Sequence, residues 1–211
     1  MSVYIDGGEP LSDELVTSLT TAVERAEDGA DRTLVLRAGG VPGTAGPGAD
    51  LGIHLVNKWE RTLRRLERVA AFTVTVVDRD CGGVALEALL ATDYRVAVTG
   101  ARLVPSPWPG MGLYRLANQA GAAAVRRAVL LGVPLTAAEA LGLGLIDEVA
   151  ADPDAAVAAA RTRLGTASAA DLAVRRRLLL DATTTSYEEA LGRHLAACDR
   201  QLRRGPAEAA A

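Results

Sequence analysis

The sequence predicts an α/β fold, and three observations carry that prediction. Short apolar, β-branched runs alternate with helical patterns as far as Val149, and after that only helical patterns follow. The run Phe72-Thr73-Val74-Thr75-Val76-Val77 leads to two glycines, Gly82-Gly83, and then to good helix formers over 85–91, the order of a strand, a tight turn and a helix. The first two strand patterns are separated by one amphipathic helix, which calls for a right-handed crossover and parallel pairing. The expected division is an α/β core over residues 1–150, a C-terminal helical segment over 151–204 and a disordered tail over 205–211.

In chain order, 3–5 is a short strand ended by Gly7, Gly8 and Pro10. Ser12 is placed to cap a helix, with Asp13 and Glu14 in its first turn, where the helix dipole favours acids. Leu15, Leu19, Ala22, Val23 and Ala26 recur at helical spacing until Gly29, and 33–36 is a second buried strand. The stretch 38–50 holds five glycines and two prolines, a density that excludes regular structure and allows backbone to approach a ligand closely. Asp50 is expected to cap the next helix, whose apolar face is Val56, Trp59, Leu63 and Leu66, with Glu60, Arg64, Arg65 and Glu67 on the other side. After the 72–77 strand and the 85–91 helix come a strand at 93–98 and a short one at 103–104. The proline-rich 105–110 is a loop, and 111–131 is helical with a break at Gly121. Thr136 and Glu139 form a capping box that opens a short helix ended by Gly142 and Gly144, and 145–149 reads as the last strand. Helices are expected over 154–164, 169–180 and 187–202, the last opened by a second capping box at Ser186 and Glu189.

The stretch Asp80-Cys81-Gly82-Gly83-Val84-Ala85-Leu86-Glu87 organises the rest. A helix that begins on glycines leaves N–H groups without intrahelical partners, pointing at a potential anion. One turn further in, Glu87 is acidic in an otherwise apolar segment. The functional reading is an oxyanion-binding turn beside a catalytic carboxylate; the alternative is a packing turn with a solvent-facing Glu.

Composition narrows the classes. About half the residues are hydrophobic, but there are only one Phe, two Trp and four Tyr, so Ala, Val and Leu must build the core. A net charge of −3 gives no reason to expect nucleic acid or an acidic membrane surface. The arginine groups 61, 64, 65, 68 and 175–177 lie in helical patterns and read as solvated faces, with a phosphate-bearing ligand as the other option. Cys81 and Cys198 match no metal or disulfide spacing, so no metal is expected and a reduced, cytoplasmic protein is. The N-terminus lacks a signal-peptide pattern, and no apolar run approaches membrane-spanning length.

From here the chain resembles the crotonase (enoyl-CoA hydratase/isomerase) superfamily. Residues 11–35 are similar to its opening helix and strand, and Gly48-Ala49-Asp50-Leu51 to its AGADL segment. Residues 81–93 resemble GGGCELALACD, followed by Thr92-Asp93-Tyr94-Arg95-Val96-Ala97 in place of CDIRIA. Pro109-Gly110-Met111-Gly112, Arg115-Leu116 and Gly121 are similar to PGAGG…RL…G, and 130–149 resembles LLLTGEPISAEEALRLGLVDEV. The resemblance implies the crotonase (ClpP/crotonase-like) spiral of ββα units and a coenzyme A thioester as substrate, with no separate cofactor. It implies an oxyanion hole made by the backbone N–H groups of Ala49 and of Val84 or its neighbour Gly83, with Gly48 and Gly83 beside the substrate. Val84 stands where the family has Gly and narrows that space. It also implies trimers or pairs of trimers, with the C-terminal helices contributing to the contacts.

The family's hydratases use two glutamates. Glu87 falls on the first, whereas the second, in the PEV segment, has no counterpart, because the chain between Ala101 and Gly110 is about five residues shorter. Two-carboxylate hydration is therefore not expected unaltered. Ser106, Asp80 and Tyr114 are candidate helpers, with a structural role as the alternative. Cys81 reads as a buried thiol rather than a nucleophile, since His54 and His194 lie elsewhere in sequence. Trp108 either lines the substrate pocket or packs over the core. The short length, the Asp-Cys-Gly-Gly turn, the missing Glu and the Trp-Pro-Gly-Met-Gly-Leu-Tyr-Arg-Leu segment resemble the DpgB-type hydratase-like proteins of 3,5-dihydroxyphenylglycine biosynthesis. That implies antibiotic biosynthesis beside a type III polyketide synthase, and dehydration or aromatisation towards 3,5-dihydroxyphenylacetyl-CoA. The competing reading is a non-catalytic accessory subunit of the synthase or of a sister crotonase-like subunit, in a homo- or hetero-oligomer.

Overall fold

Sixteen elements follow one another in the computed structural model, which describes residues 2–29, 32–43, 51–106, 109–165, 167–182 and 185–204. The first half holds β1 (Ser2–Asp6), α1 (Asp13–Glu27), β2 (Thr33–Gly40), α2 (Ile53–Leu66), β3 (Phe72–Gly82), α3 (Gly83–Leu90), β4 (Tyr94–Val98) and β5 (Arg102–Val104). The second half holds α4 (Gly112–Ala120), α5 (Ala122–Leu131), β6 (Leu135–Thr136), α6 (Ala137–Gly142), β7 (Glu148–Ala150), α7 (Pro153–Leu164), α8 (Ala169–Ala182) and α9 (Tyr187–Arg204). Among the described residues, no helix is long and apolar enough to cross a membrane.

The strands β1-β2-β3-β4-β7 are ordered side by side and every pair is parallel, as the β-helix-β pattern requires. Strand β3 has two neighbours on the same edge. Val74 to Val77 pair with β4, and Cys81 and Gly82 then pair with β5, which turns antiparallel to β6. Alternation along the strands divides the core. Leu34, Leu36, Ala38, Val77 and Cys81 join the large cluster built with α1, α2 and α3. Val35, Val74 and Val76 face the other way, onto Val157 of α7, with Phe72 and Tyr94 at the margin. Aliphatic side chains do make up this core, around one large exception, Trp59, which is completely buried.

Local chemistry sets the helix ends. The Ser12 hydroxyl accepts from the Leu15 N–H at 3.2 Å, and Thr136 and Glu139 close both halves of the capping box. Gly121 separates α4 from α5 with φ +84. The guanidinium of Arg95 caps the end of α3, donating to the carbonyls of Leu90 at 2.9 Å and Thr92 at 3.1 Å and to Gln119 at 2.7 Å.

Several expectations are corrected. Strand β3 does not stop at 77; Asp80-Cys81-Gly82 is strand, because β5 supplies hydrogen-bonding partners after β4 has ended. Helix α3 accordingly starts at Gly83. The strand expected at 145–149 shrinks to β7, because the N–H groups of Leu145 and Ile146 turn back onto the Ala140 carbonyl at the end of α6. Helix α2 is capped by Gly52, with no side-chain bond, and Asp50 lies outside the described residues. The arginines at 175–177 are not simply a solvated face. Arg176 reaches back to Asp93 at 2.5 and 2.6 Å and to the carbonyls of Val69 and Ala71, tying α8 to the sheet although no α8 residue is buried. The tail 205–211 is outside the described residues.

Candidate active site

Gly83 makes the turn from β3 into α3 possible. Its φ is +49, a left-handed value, and a Cβ there would come within 2.8 Å of both the Gly7 carbonyl and the Pro42 ring. Gly82, the N-cap, has no side chain to offer, so the first N–H groups of α3 receive no side-chain cap. The Pro42 ring packs on Gly82 and Gly83, bringing the glycine-rich loop onto the helix start at its described end. Val84 is buried there. Gly48, Ala49 and Trp108 lie outside the described residues.

Every residue of α3 is buried, as an all-apolar helix demands, and Glu87 is its one ionisable group, at 2% exposure. The solvent-facing alternative is therefore excluded. Both carboxyl oxygens are held: the Trp59 indole N–H donates to Oε2 at 2.6 Å, and the Gly110 N–H donates to Oε1 at 2.7 Å. Burial pushes the carboxyl above the usual carboxylate range. The two donors pull the other way, the neighbouring Glu60 adds to the rise, and Arg115 opposes it. Glycine is required opposite this group: a Cβ at Gly112 would lie 3.1 Å from Glu87 Cγ, and one at Gly110 would fall on the carboxylates of Glu60 and Glu87.

Three residues that the sequence assigned elsewhere complete the surroundings. Glu60 accepts the Met111 N–H at 2.6 Å and pairs with Arg115 at 2.9 Å. Arg115 also donates to Glu67 at 2.7 Å, and Arg64 closes on Glu67 at 2.8 Å. Burial lowers the proton affinity of Arg115, but the two glutamates outweigh it and hold the guanidinium firmly charged. Glu60 and Glu67 were placed on the outer face of α2; α4 covers that face and brings Arg115 onto it. The seven-residue spacing of Glu60 and Glu67 puts them on one side of the helix, but nothing local in the sequence names Arg115 as their partner.

The other candidates are kept away from this chemistry. Both Asp80 oxygens accept from Arg102, whose hydrogen bonds hold that carboxyl below its ordinary value. Cys81 is fully buried, and burial drives its thiol far up, so it is no nucleophile. Tyr114 is 52% exposed on α4. Ser106 is half-buried at the end of the described loop. His54 is exposed on α2, and the exposed His194 lies 3.5 Å from Cys198 on α9. Among the described residues, no group of three or more His, Cys, Asp or Glu is placed to hold a metal ion. What the arrangement offers is a dry carboxyl with raised proton affinity, one turn inside a helix whose first amides lack a side-chain cap.

Comparison with known proteins finds similarity along most of the chain. The family model for enoyl-CoA hydratase/isomerase matches residues 9–208. An Amycolatopsis orientalis protein described as an enoyl-CoA hydratase is 45% identical over 206 residues, covering 95% of this chain and 94% of its own. Among solved structures, an enoyl-CoA hydratase from Mycobacterium smegmatis superposes with a TM-score of 0.79 at 21% identity, over 94% of this chain and 86% of that one. An enoyl-CoA hydratase/isomerase from Cupriavidus metallidurans CH34 gives 0.78 at 22% identity, over 95% and 84%. At these identities the structures speak for the fold alone.

Proposed function

The chain belongs to the enoyl-CoA hydratase/isomerase family, and on that premise we propose that it removes water from a polyketide-derived acyl-CoA through one carboxyl, Glu87, and two backbone amides. The observation that carries this reading is the buried Glu87 carboxyl, with its raised proton affinity, three residues beyond the Val84 amide. The N–H groups of Ala49 and Val84 hold the thioester carbonyl and stabilise the negative charge that grows on its oxygen; losing one such donor costs about 10²–10³ in rate. Glu87 works as a neutral carboxyl. Its O–H passes a proton to the departing hydroxyl, which leaves as water, while its other oxygen takes the α-proton. The carboxyl is regenerated and no second acid is consumed. Each oxygen keeps a lone pair beyond the N–H it already accepts, so the hydrogen bonds from Trp59 and Gly110 orient the group without blocking it.

The substrate in this reading is the condensation product of a type III polyketide synthase, and the product is 3,5-dihydroxyphenylacetyl-CoA. Aromatisation then supplies much of the driving force, consistent with a site that has lost the family's second glutamate. The partners are that synthase and a sister crotonase-like subunit, in a homo- or hetero-oligomer in the cytoplasm, with coenzyme A present only as part of the substrate. One observation favours a second reading, a non-catalytic accessory subunit: both oxygens of Glu87 are already hydrogen-bonded within the protein. Reconstitution of the synthase with malonyl-CoA separates the two. Catalysis predicts that Glu87→Gln abolishes the gain in aromatic product that the wild-type protein gives. The accessory reading predicts that the variant preserves it. Rapid turnover of crotonyl-CoA by the protein alone would instead mark an ordinary fatty-acid hydratase.

A further inference from the structure

We propose that Glu60, on α2, is the second carboxylate of this site: a positioning residue that acts on Glu87 through its charge and through the Gly110–Met111 peptide. The inference rests on Glu87 being the proton-transfer group.

The geometry is specific. Two glutamates from different helices grip consecutive amides at the entrance to α4, Glu87 taking the Gly110 N–H at 2.7 Å and Glu60 the Met111 N–H at 2.6 Å. One oxygen of each lies within 2.7 Å of the point where a Gly110 Cβ would stand, so the two oxygens are no more than about 5 Å apart. Arg115, one turn into α4, binds both oxygens of Glu60 and is itself shared with Glu67.

A clamp built only to hold the loop gains nothing from a second acid so close to a buried one. Arg115 already has Glu67 as its ion-pair partner, and the Met111 N–H needs only a neutral acceptor. A negative group at this distance adds repulsion that disfavours ionised Glu87. Among the described residues, the charged groups acting on Glu87 are Glu60 on α2 and Arg115 on α4, and Arg115 in turn shares Glu67 with Arg64. The family's second glutamate has no counterpart in the shortened loop, whereas Glu60 reaches the Gly110–Met111 peptide from another element. Glu60 is not a substitute base: its oxygens already accept three donors, one from Met111 and two from Arg115.

The test is a carbon-13 titration of the side-chain carboxyls in the wild type, Glu60→Gln and a Glu67→Gln control. Gln at 60 keeps an acceptor for Met111, removes the charge and gives up one contact to Arg115. The expected result is a Glu87 midpoint lowered by about one pH unit or more in E60Q, roughly a tenfold change in its proton affinity, with a smaller change in E67Q. An unmoved midpoint in E60Q overturns the inference. Should E60Q fail to fold, the wild type suffices: the Glu60 carboxyl resonance must shift as Glu87 titrates, and the absence of that response is equally fatal. The reading of function fails separately, if the wild type does nothing to any acyl-CoA in the reconstituted pathway while the Glu87 midpoint still moves.

Discussion

Trp59 shows how a residue read as core carries part of the site. Its ring fills the centre of the aliphatic cluster, and its N–H ends on Glu87. Trp59→Phe keeps most of the packing and leaves a buried carboxyl oxygen without its donor. The expected cost is about 1–3 kcal/mol, read as a lower urea midpoint with unchanged slope. The Glu87 titration midpoint should move upward, because the lost donor favoured the charged form. A midpoint that fell would contradict the assigned hydrogen bond. At this scale Glu87 was legible in the sequence, since one acid among seven apolar helix residues stands out. Its partners were not. Trp59 looked like one apolar position among four on α2, and the pairing of Glu60 with Arg115 spans 55 residues that only the packing of α4 against α2 brings together.

Among the elements, α3 positions the chemistry, and its start depends on a residue without a Cβ. Gly83→Ala meets two obstacles: a left-handed φ, which costs an L-residue about 1–2 kcal/mol, and backbone contact with Gly7. Gly132→Ala is the control, since Gly132 has φ +63 but nothing within 4 Å of the added carbon. Chemical denaturation is expected to show Gly83→Ala costing at least about 1 kcal/mol more than Gly132→Ala. It should also lower turnover, because shifting the helix start displaces the Val84 amide. Equal costs would show that the turn relaxes freely. The order of elements was readable from hydrophobic period and glycine punctuation, but strand lengths were not. Strand β3 runs on through Asp80 and Cys81 because β5 pairs with it there, and no local propensity encodes that partner.

For the whole molecule, two properties follow. Leu130 and Leu131 on α5 and Leu179 on α8 are each 73% exposed, and Leu195 on α9 is 57% exposed, apolar surface that favours association. Sedimentation should find the protein associated, with Leu130→Glu combined with Leu131→Glu giving a smaller species; a monomeric wild type would contradict this. Stability should also depend on pH through Glu87. Its folded value is raised above the ordinary 4.5. The protonated native state is therefore fully favoured below that value, and stability is lost as pH climbs from there towards the folded midpoint. Relative to Glu87→Gln, the wild type is expected to lose about 1.4 kcal/mol per pH unit across that window. A flat difference would mean that Glu87 titrates normally.

The central claim, that the Glu87 carboxyl moves the proton, is tested most directly by Glu87→Gln in the reconstituted synthase reaction. Each Glu87 oxygen accepts one N–H, so Gln satisfies one donor and turns its NH2 to the other; circular dichroism first establishes that the variant is folded. The account predicts that the contribution of this protein to aromatic product falls by about 10²–10⁴-fold. Undiminished product formation by the folded variant would contradict it.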